Sequence, residues 1–125
     1  MEIEKIKEHI DDVLIETNFP KLGEKKVGKV RDVYLKPDQI TLISTDRHSS
    51  FDRIIAYIPF KGEVLNQISL FYFDQTKDII QNHVLSMPDP NVLIAKKCKP
   101  LPIECIVRGY ITGVTCLILN LMIGL

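Results

Sequence analysis

Two runs of apolar and β-branched residues, Lys25 to Leu35 and Gln39 to Ser44, are separated only by Lys36, Pro37 and Asp38. A Pro-Asp turn this short makes the two runs fold back on each other as an antiparallel hairpin. Gly28 interrupts the first run, which reads as a glycine-bent basic hairpin strand carrying Lys25, Lys26, Lys29 and Arg31. Two further strands are expected at Asn91 to Lys97 and Ile103 to Arg108. Pro100 and Pro102 between them forbid a helix and suit an extended connection. Helical spacing occurs twice. Ile3, Ile6, Ile10, Val13 and Leu14 predict an amphipathic surface helix over Glu2 to Glu16, ended by the Asn18 to Leu22 segment with Pro20. Val64, Leu65, Ile68, Phe71 and Tyr72 predict a second helix after Gly62 that continues through Asp74 to Ile80, with Met87-Pro88-Asp89-Pro90 closing that unit. Hairpins with segregated helices make the fold class α+β, an antiparallel β-sheet lobe with flanking helices.

With 125 residues, 46% of them apolar, the chain is long enough for one domain with its own core. Sixteen Lys plus Arg balance sixteen Asp plus Glu, so no overall field favours nucleic acid or anionic lipid, and any anion site has to be local. Neither a nucleic acid nor a membrane is expected as a partner. The first twelve residues mix acids and bases around isolated isoleucines, without the apolar core of a signal peptide, which reads as a cytoplasmic start. Cys98, Cys105 and Cys116 lack Cys-x-x-Cys spacing and read as free, partly buried thiols. His9, His48 and His83 are too scattered to suggest a metal site.

Three clusters have the residue types for chemistry. In an extended strand Lys29 and Arg31 share a face, and Gly28 lets backbone approach a ligand, so the trio can clamp a polyphosphate. The same alternation also describes a solvated sheet face. The run Thr45 to Arg53 follows a strand and holds Asp46, Arg47, His48, Ser49, Ser50, Asp52 and Arg53 around Phe51, which is placed to anchor the loop to the core. It reads either as a substrate loop or as a turn whose Asp and Ser side chains satisfy their own backbone. The histidine beside two serines does not by itself make a nucleophilic pair. Arg108 ends an apolar run before Gly109, where a guanidinium can grip a flat anion or pair with Glu104 on the same strand face.

Read in order, GKVRDVY (Gly28 to Tyr34), STDRHSSFD (Ser44 to Asp52), KGEVLNQIS (Lys61 to Ser69), NHV (Asn82 to Val84) and LPIECIVRGYITG (Leu101 to Gly113) resemble the successive motifs of the SAICAR synthetase family. The likeness covers roughly residues 15 to 113. It implies the amino-terminal lobe of an ATP-grasp or kinase-like fold. The activity it implies is an ATP- and Mg2+-dependent ligase joining L-aspartate to carboxyaminoimidazole ribonucleotide, with ADP and phosphate released. By the same resemblance, Gly28, Lys29 and Arg31 cover the ATP phosphates. The Ile94 to Lys97 strand borders the adenine, which makes Lys97 an ATP-site residue. Arg108 binds the ribonucleotide, and Ser50 and Asp52 contact substrate. The resemblance leaves His48 unassigned and places magnesium ligands in sequence that has no counterpart here. A homo-oligomer is compatible with it.

Past Gly113 the composition turns abruptly apolar and uncharged. That stretch is too short for a membrane span of about 20 residues. The expected organisation is therefore a lobe over residues 1–113, a divergent apolar tail over 114–125, and a catalytic part outside the sequence. A non-catalytic nucleotide-binding module or an interaction fragment is the alternative. On either reading the 125 residues alone form no SAICAR from ATP, L-aspartate and carboxyaminoimidazole ribonucleotide in a coupled ADP-release assay; turnover at an ordinary enzymatic rate would refute this.

Overall fold

The computed structural model of the chain describes residues 3–103 and 105–111. Seven strands and two helices occur among them: α1 (Ile3–Glu8), a 3-10 turn (Pro20–Leu22), β1 (Glu24–Val27), β2 (Arg31–Leu35), β3 (Gln39–Ser44), β4 (Arg47–Ser50), β5 (Arg53–Tyr57), α2 (Lys61–Gln75), β6 (Val84–Asp89) and β7 (Val92–Lys96). Five strands form one sheet in the order β1-β2-β3-β7-β6, every neighbour antiparallel, and β4 and β5 form a separate hairpin. This is the α+β lobe that the sequence predicts. The hairpin around Lys36-Pro37-Asp38 forms as expected, pairing Leu35 with Ile40 and Arg31 with Ser44.

The sheet has two unlike faces. Asp32, Tyr34 and Ile43 turn toward the amino-terminal segment, where Thr17 and Phe19 bond the Tyr34 and Asp32 side chains. Ser44 turns toward α2, where its hydroxyl donates to Asn66 Oδ1 at 2.6 Å, while Asn66 Nδ2 reaches the Pro90 carbonyl at 3.1 Å. Gly62 lets the helix start close to the sheet: a Cβ there would lie 2.3 Å from the Ser44 carbonyl oxygen.

Several sequence expectations are revised. The amino-terminal helix stops at Glu8, because the backbone of residues 14–17 is used elsewhere. The Leu14 N–H donates to Asp46 Oδ2 at 2.8 Å, the Ile15 carbonyl accepts from Arg47 at 2.7 Å and the Thr17 N–H donates to Asp32 at 2.7 Å. A helix would consume those same groups internally. The basic run Lys25 to Leu35 is two strands, not one, since the Gly28 N–H closes a turn onto the Arg31 carbonyl at 2.8 Å. Lys29 therefore sits in the turn and does not share a strand face with Arg31.

The polar loop after β3 is a hairpin whose two turn residues, Phe51 and Asp52, both have positive φ, 47° and 64°. That is the backbone sense which matches the right-handed twist of flanking strands. Phe51 is 99% exposed and anchors nothing in the core. Met87 to Asp89 belongs to β6, where Pro88 is tolerated because β6 is an edge strand with shifted register. The expected Ile103 to Arg108 strand does not form among the described residues; Ile103, Ile106 and Val107 are exposed, without the facing strand that would bury them. Cys98 and Cys105 are free but exposed, not partly buried, and Cys116 lies outside the described residues.

Helix α2 ends at Gln75, followed by turns, and its apolar stripe faces outward: Val64, Leu65, Ile68, Phe71 and Tyr72 are all exposed, while Gly62 and Asn66 are buried. The helix is thus docked by Gly62 and Asn66, with Ser69, Leu70 and Phe73 half-buried beside them. Phe71→Glu is expected to change stability by less than about 0.5 kcal/mol and to reduce self-association in light scattering. A large loss of thermal stability would show that the stripe is covered instead.

Candidate functional site

The turn between β1 and β2 is held from beneath by side chains that follow β3. The Thr45 N–H and hydroxyl both donate to the Val30 carbonyl, at 3.0 and 2.9 Å. Arg47 donates from Nε to the Lys29 carbonyl at 3.1 Å and from Nη2 to the Gly28 carbonyl at 3.0 Å. All three turn carbonyls are therefore drawn inward by two buried residues. Arg47 is itself fixed by Asp32, whose Oδ1 accepts from Nη2 at 2.9 Å.

Asp32 has no exposed surface. Its other oxygen accepts from the Thr17 N–H at 2.7 Å and the Thr17 hydroxyl at 2.9 Å, and lies 3.3 Å from the Lys25 ammonium. Burial alone would push the carboxyl pKa up. The Thr17 N–H, the Arg47 guanidinium, the Thr17 hydroxyl and the Lys25 ammonium together outweigh it and hold the group below the usual carboxylate range. Lys25 is raised in turn, first by its bond to Glu16 and opposed by partial desolvation.

At the surface of this frame, the Lys29 ammonium pairs with the Asp52 carboxylate, which joins the β1–β2 turn to the β4–β5 turn. The hydrogen bond from Lys29 lowers the Asp52 pKa. Ser50 closes the same β4–β5 turn opposite Arg53. Two sequence clusters, Gly28-Lys29 and Ser50-Asp52, are thereby brought to one place. Arg31 begins β2 on the α2 side of the sheet. It lines a cavity of about 90 Å³ with Leu42, Asn66, Phe73, His83 and Leu93. Phe73 and His83, stacked edge to face with centroids 5.3 Å apart, also border a larger cleft of about 760 Å³ that reaches Ile40, Lys96, Cys98 and Pro100.

Lys97 is not beside Lys29. Its N–H donates to the Asp38 carbonyl at 3.1 Å, at the opposite end of the strands from the Gly28 turn. Arg108 lines a groove with Ile106, Gly109, Tyr110 and Ile111 of its own segment. Its expected pairing with Glu104 lies outside the described residues. His48 sits in β4 opposite Ala56.

Sequence reasoning treated Asp46 and Arg47 as loop polarity and did not single out Asp32 or Thr45 as structural. A signal was present: Asp32 precedes Tyr34 by two in an alternating strand, so it shares that inward face. Asp46 is wholly structural, accepting from the Leu14 N–H at 2.8 Å and the Gly62 N–H at 2.9 Å. No group of three His, Cys, Asp or Glu side chains among the described residues can hold a metal ion. Asp32 and Asp46 each have both carboxylate oxygens engaged by donors, and Asp52 is engaged by Lys29.

Comparison with known proteins gives a consistent picture. The family model for SAICAR synthetase matches residues 24–124, beyond the Gly113 at which the motif resemblance stops. The phosphoribosylaminoimidazole-succinocarboxamide synthase of Legionella pneumophila (strain Paris) is 55% identical over 102 residues, which cover 82% of this chain and 32% of that protein. The chloroplastic enzyme of that name from Vigna aconitifolia is 52% identical over 113 residues, or 87% of this chain and 33% of its own. The chain thus spans about a third of the length of the curated relatives it matches. Among solved structures, the SAICAR synthase of Saccharomyces cerevisiae complexed with SAICAR superposes with a TM-score of 0.77 at 28% identity, covering 90% of this chain and 46% of the other. A type-2 SAICAR synthetase in complex with ADP gives 0.54 at 25% identity, covering 59% and 33%.

The Asp32 environment has a measurable consequence. Asp32→Asn leaves Arg47 buried without its counter-charge and is expected to cost about 3 kcal/mol in chemical denaturation. The folded Asp32 pKa lies below the unfolded one, so its contribution is complete above the unfolded value of about 3.9 and disappears as pH falls through the folded value. Wild type should therefore lose stability below about pH 4 more steeply than Asp32→Asn. Parallel acid profiles for the two proteins would remove Asp32 as the cause.

Proposed function

The chain belongs to the SAICAR synthetase family, and on that premise we propose that residues 1–113 form the nucleotide- and ribonucleotide-binding lobe of an ATP-dependent carbon-nitrogen ligase of purine biosynthesis. The overall reaction joins L-aspartate to carboxyaminoimidazole ribonucleotide, with an acyl phosphate on the imidazole carboxylate as the activated species and ADP and phosphate as the other products. Because the chain matches a third of its relatives' length, the step proposed for these residues is binding. Residues 114–125 are proposed as a tail of divergent, apolar sequence, although the family model extends to residue 124.

The observation that carries this reading is the pair of adjoining cavities on the α2 side of the sheet, which share Phe73 and His83. The larger, at about 760 Å³, falls within the ~300–1,000 Å³ typical of small-molecule sites. It has apolar walls at Ile40, Phe73 and Ile80, suited to a base, and is bordered by Lys96 and Cys98 on either side of Lys97. Backbone groups of residues 96–98 would read the adenine edge there. The smaller cavity ends at Arg31, a cation for the phosphates. Lys29 is the second phosphate cation. Its pair with Asp52 is solvent-exposed on both sides and therefore weak, so a phosphate can compete with the carboxylate for the ammonium. Ser50 and Asp52 then face substrate, and Arg108 supplies the guanidinium for the ribonucleotide phosphate.

Magnesium, which accompanies ATP in such chemistry, has no ligand set among the described residues, and no step is assigned to it. A cytoplasmic setting is part of the proposal, supported by two exposed free thiols, Cys98 and Cys105, which a reducing compartment preserves. So is a homo-oligomer, supported by the outward apolar stripe of α2.

ADP at a hundred times its dissociation constant is expected to stabilise the chain by ~2.7 kcal/mol, read as a rise in melting temperature. Lys29→Ala and Arg31→Ala should each weaken ADP roughly ten-fold by removing one charge-assisted phosphate bond, and leave adenosine binding unchanged. Absence of any ADP shift in the wild type would overturn the nucleotide reading.

A further inference from the structure

We propose that Arg47 is a positioning residue for polyphosphate binding, acting through the β1–β2 turn and not by touching the ligand. The inference rests on the nucleotide reading of that turn. Arg47 is 5% exposed and spends its guanidinium on four acceptors: the carbonyls of Ile15, Gly28 and Lys29 and the carboxylate of Asp32. Ionic pairing alone would need only Asp32. Two of the remaining three bonds go to consecutive carbonyls of the basic turn, and Thr45 takes the next one, that of Val30.

The geometry of the peptide unit gives this arrangement its function. In a planar trans peptide, the C=O and the following N–H point in opposite directions. Drawing the Gly28 and Lys29 carbonyls inward turns the N–H groups that follow them away from the guanidinium. It also fixes the sense in which the turn presents its amide dipoles, and successive N–H groups so presented form an anion-binding concavity. A turn with rotated peptides would offer carbonyl oxygens, which repel phosphate. Lysine in place of Arg47 keeps the charge beside Asp32 but not the planar fork that reaches two carbonyls at once. Arg47 thus links the buried Asp32 carboxylate to the shape of an exposed loop.

The test compares ADP and adenosine binding by calorimetry in wild type, Arg47→Lys and Thr45→Val. Thr45→Val keeps the N–H bond to Val30 and removes only the hydroxyl bond, so it retains the fold if Arg47→Lys does not. Expected is about a ten-fold weaker ADP affinity for Arg47→Lys and about three-fold for Thr45→Val, with adenosine affinity unchanged in both. A purely structural role would lower ADP and adenosine affinity by the same factor, since partial unfolding taxes both ligands alike. Equal losses, or no loss of ADP affinity, would overturn the proposal. If wild type binds neither ligand, it is the nucleotide reading that fails, and the positioning proposal goes with it.

Discussion

The lobe depends on one buried ion pair, Asp32 with Arg47. Removing a carboxylate and a guanidinium from water is costly, and the pair survives because further hydrogen bonds engage both carboxylate oxygens and all three guanidinium nitrogens. Asp32 gathers the Thr17 backbone, the Thr17 hydroxyl, Lys25 and Arg47; Arg47 reaches on to Ile15, Gly28 and Lys29. Three pieces of chain that are distant in sequence are joined by it: the extended amino-terminal segment, the β1–β2 turn and the start of β4. No buried side-chain nitrogen or oxygen among the described residues lacks a partner.

A second polar knot repeats the principle on the other face. Asp46 bonds both the Leu14 and Gly62 N–H groups, and Ser44, Asn66 and Asn91 bind α2 to the ends of β3 and β6. Four apolar residues are buried among the described residues, Tyr34, Ile43, Leu93 and Ala95, against eight polar or charged ones. Directional bonds, more than apolar bulk, therefore determine how these elements sit. This explains how α2 can hold its apolar stripe away from the sheet.

The candidate site follows from this frame. A strand pair needs only a turn between β1 and β2, but the turn is shaped by Thr45 and Arg47 from below and carries Lys29 above. The β4–β5 hairpin brings Asp52 to the same spot. The strands of the sheet carry Arg31 and the 96–98 segment to opposite ends, and the two cavities beside α2 lie between those ends. A ligand with an apolar base and a charged tail matches that layout better than a compact anion does.

The fold class, the Lys36-Pro37-Asp38 hairpin, β7 and the existence of α2 were legible from the sequence alone, because each rests on local chemistry: proline restricts backbone angles, β-branched runs favour strands and helical spacing marks a helix, although the stripe that marks α2 proved to face outward. The family motifs were legible for the same local reason, whereas the basic run was read as a single bent strand and proved to be two strands around a turn. What sequence could not reveal were the roles of Asp32, Thr45, Asp46 and Arg47, or the end of the first helix at Glu8. Those depend on which groups meet across gaps of 15 to 32 residues. Only the tertiary structure decided that four polar residues in ordinary strand and loop positions would be buried, because a charged side chain is stable inside a protein only where distant groups, backbone and side chain, supply its partners at once.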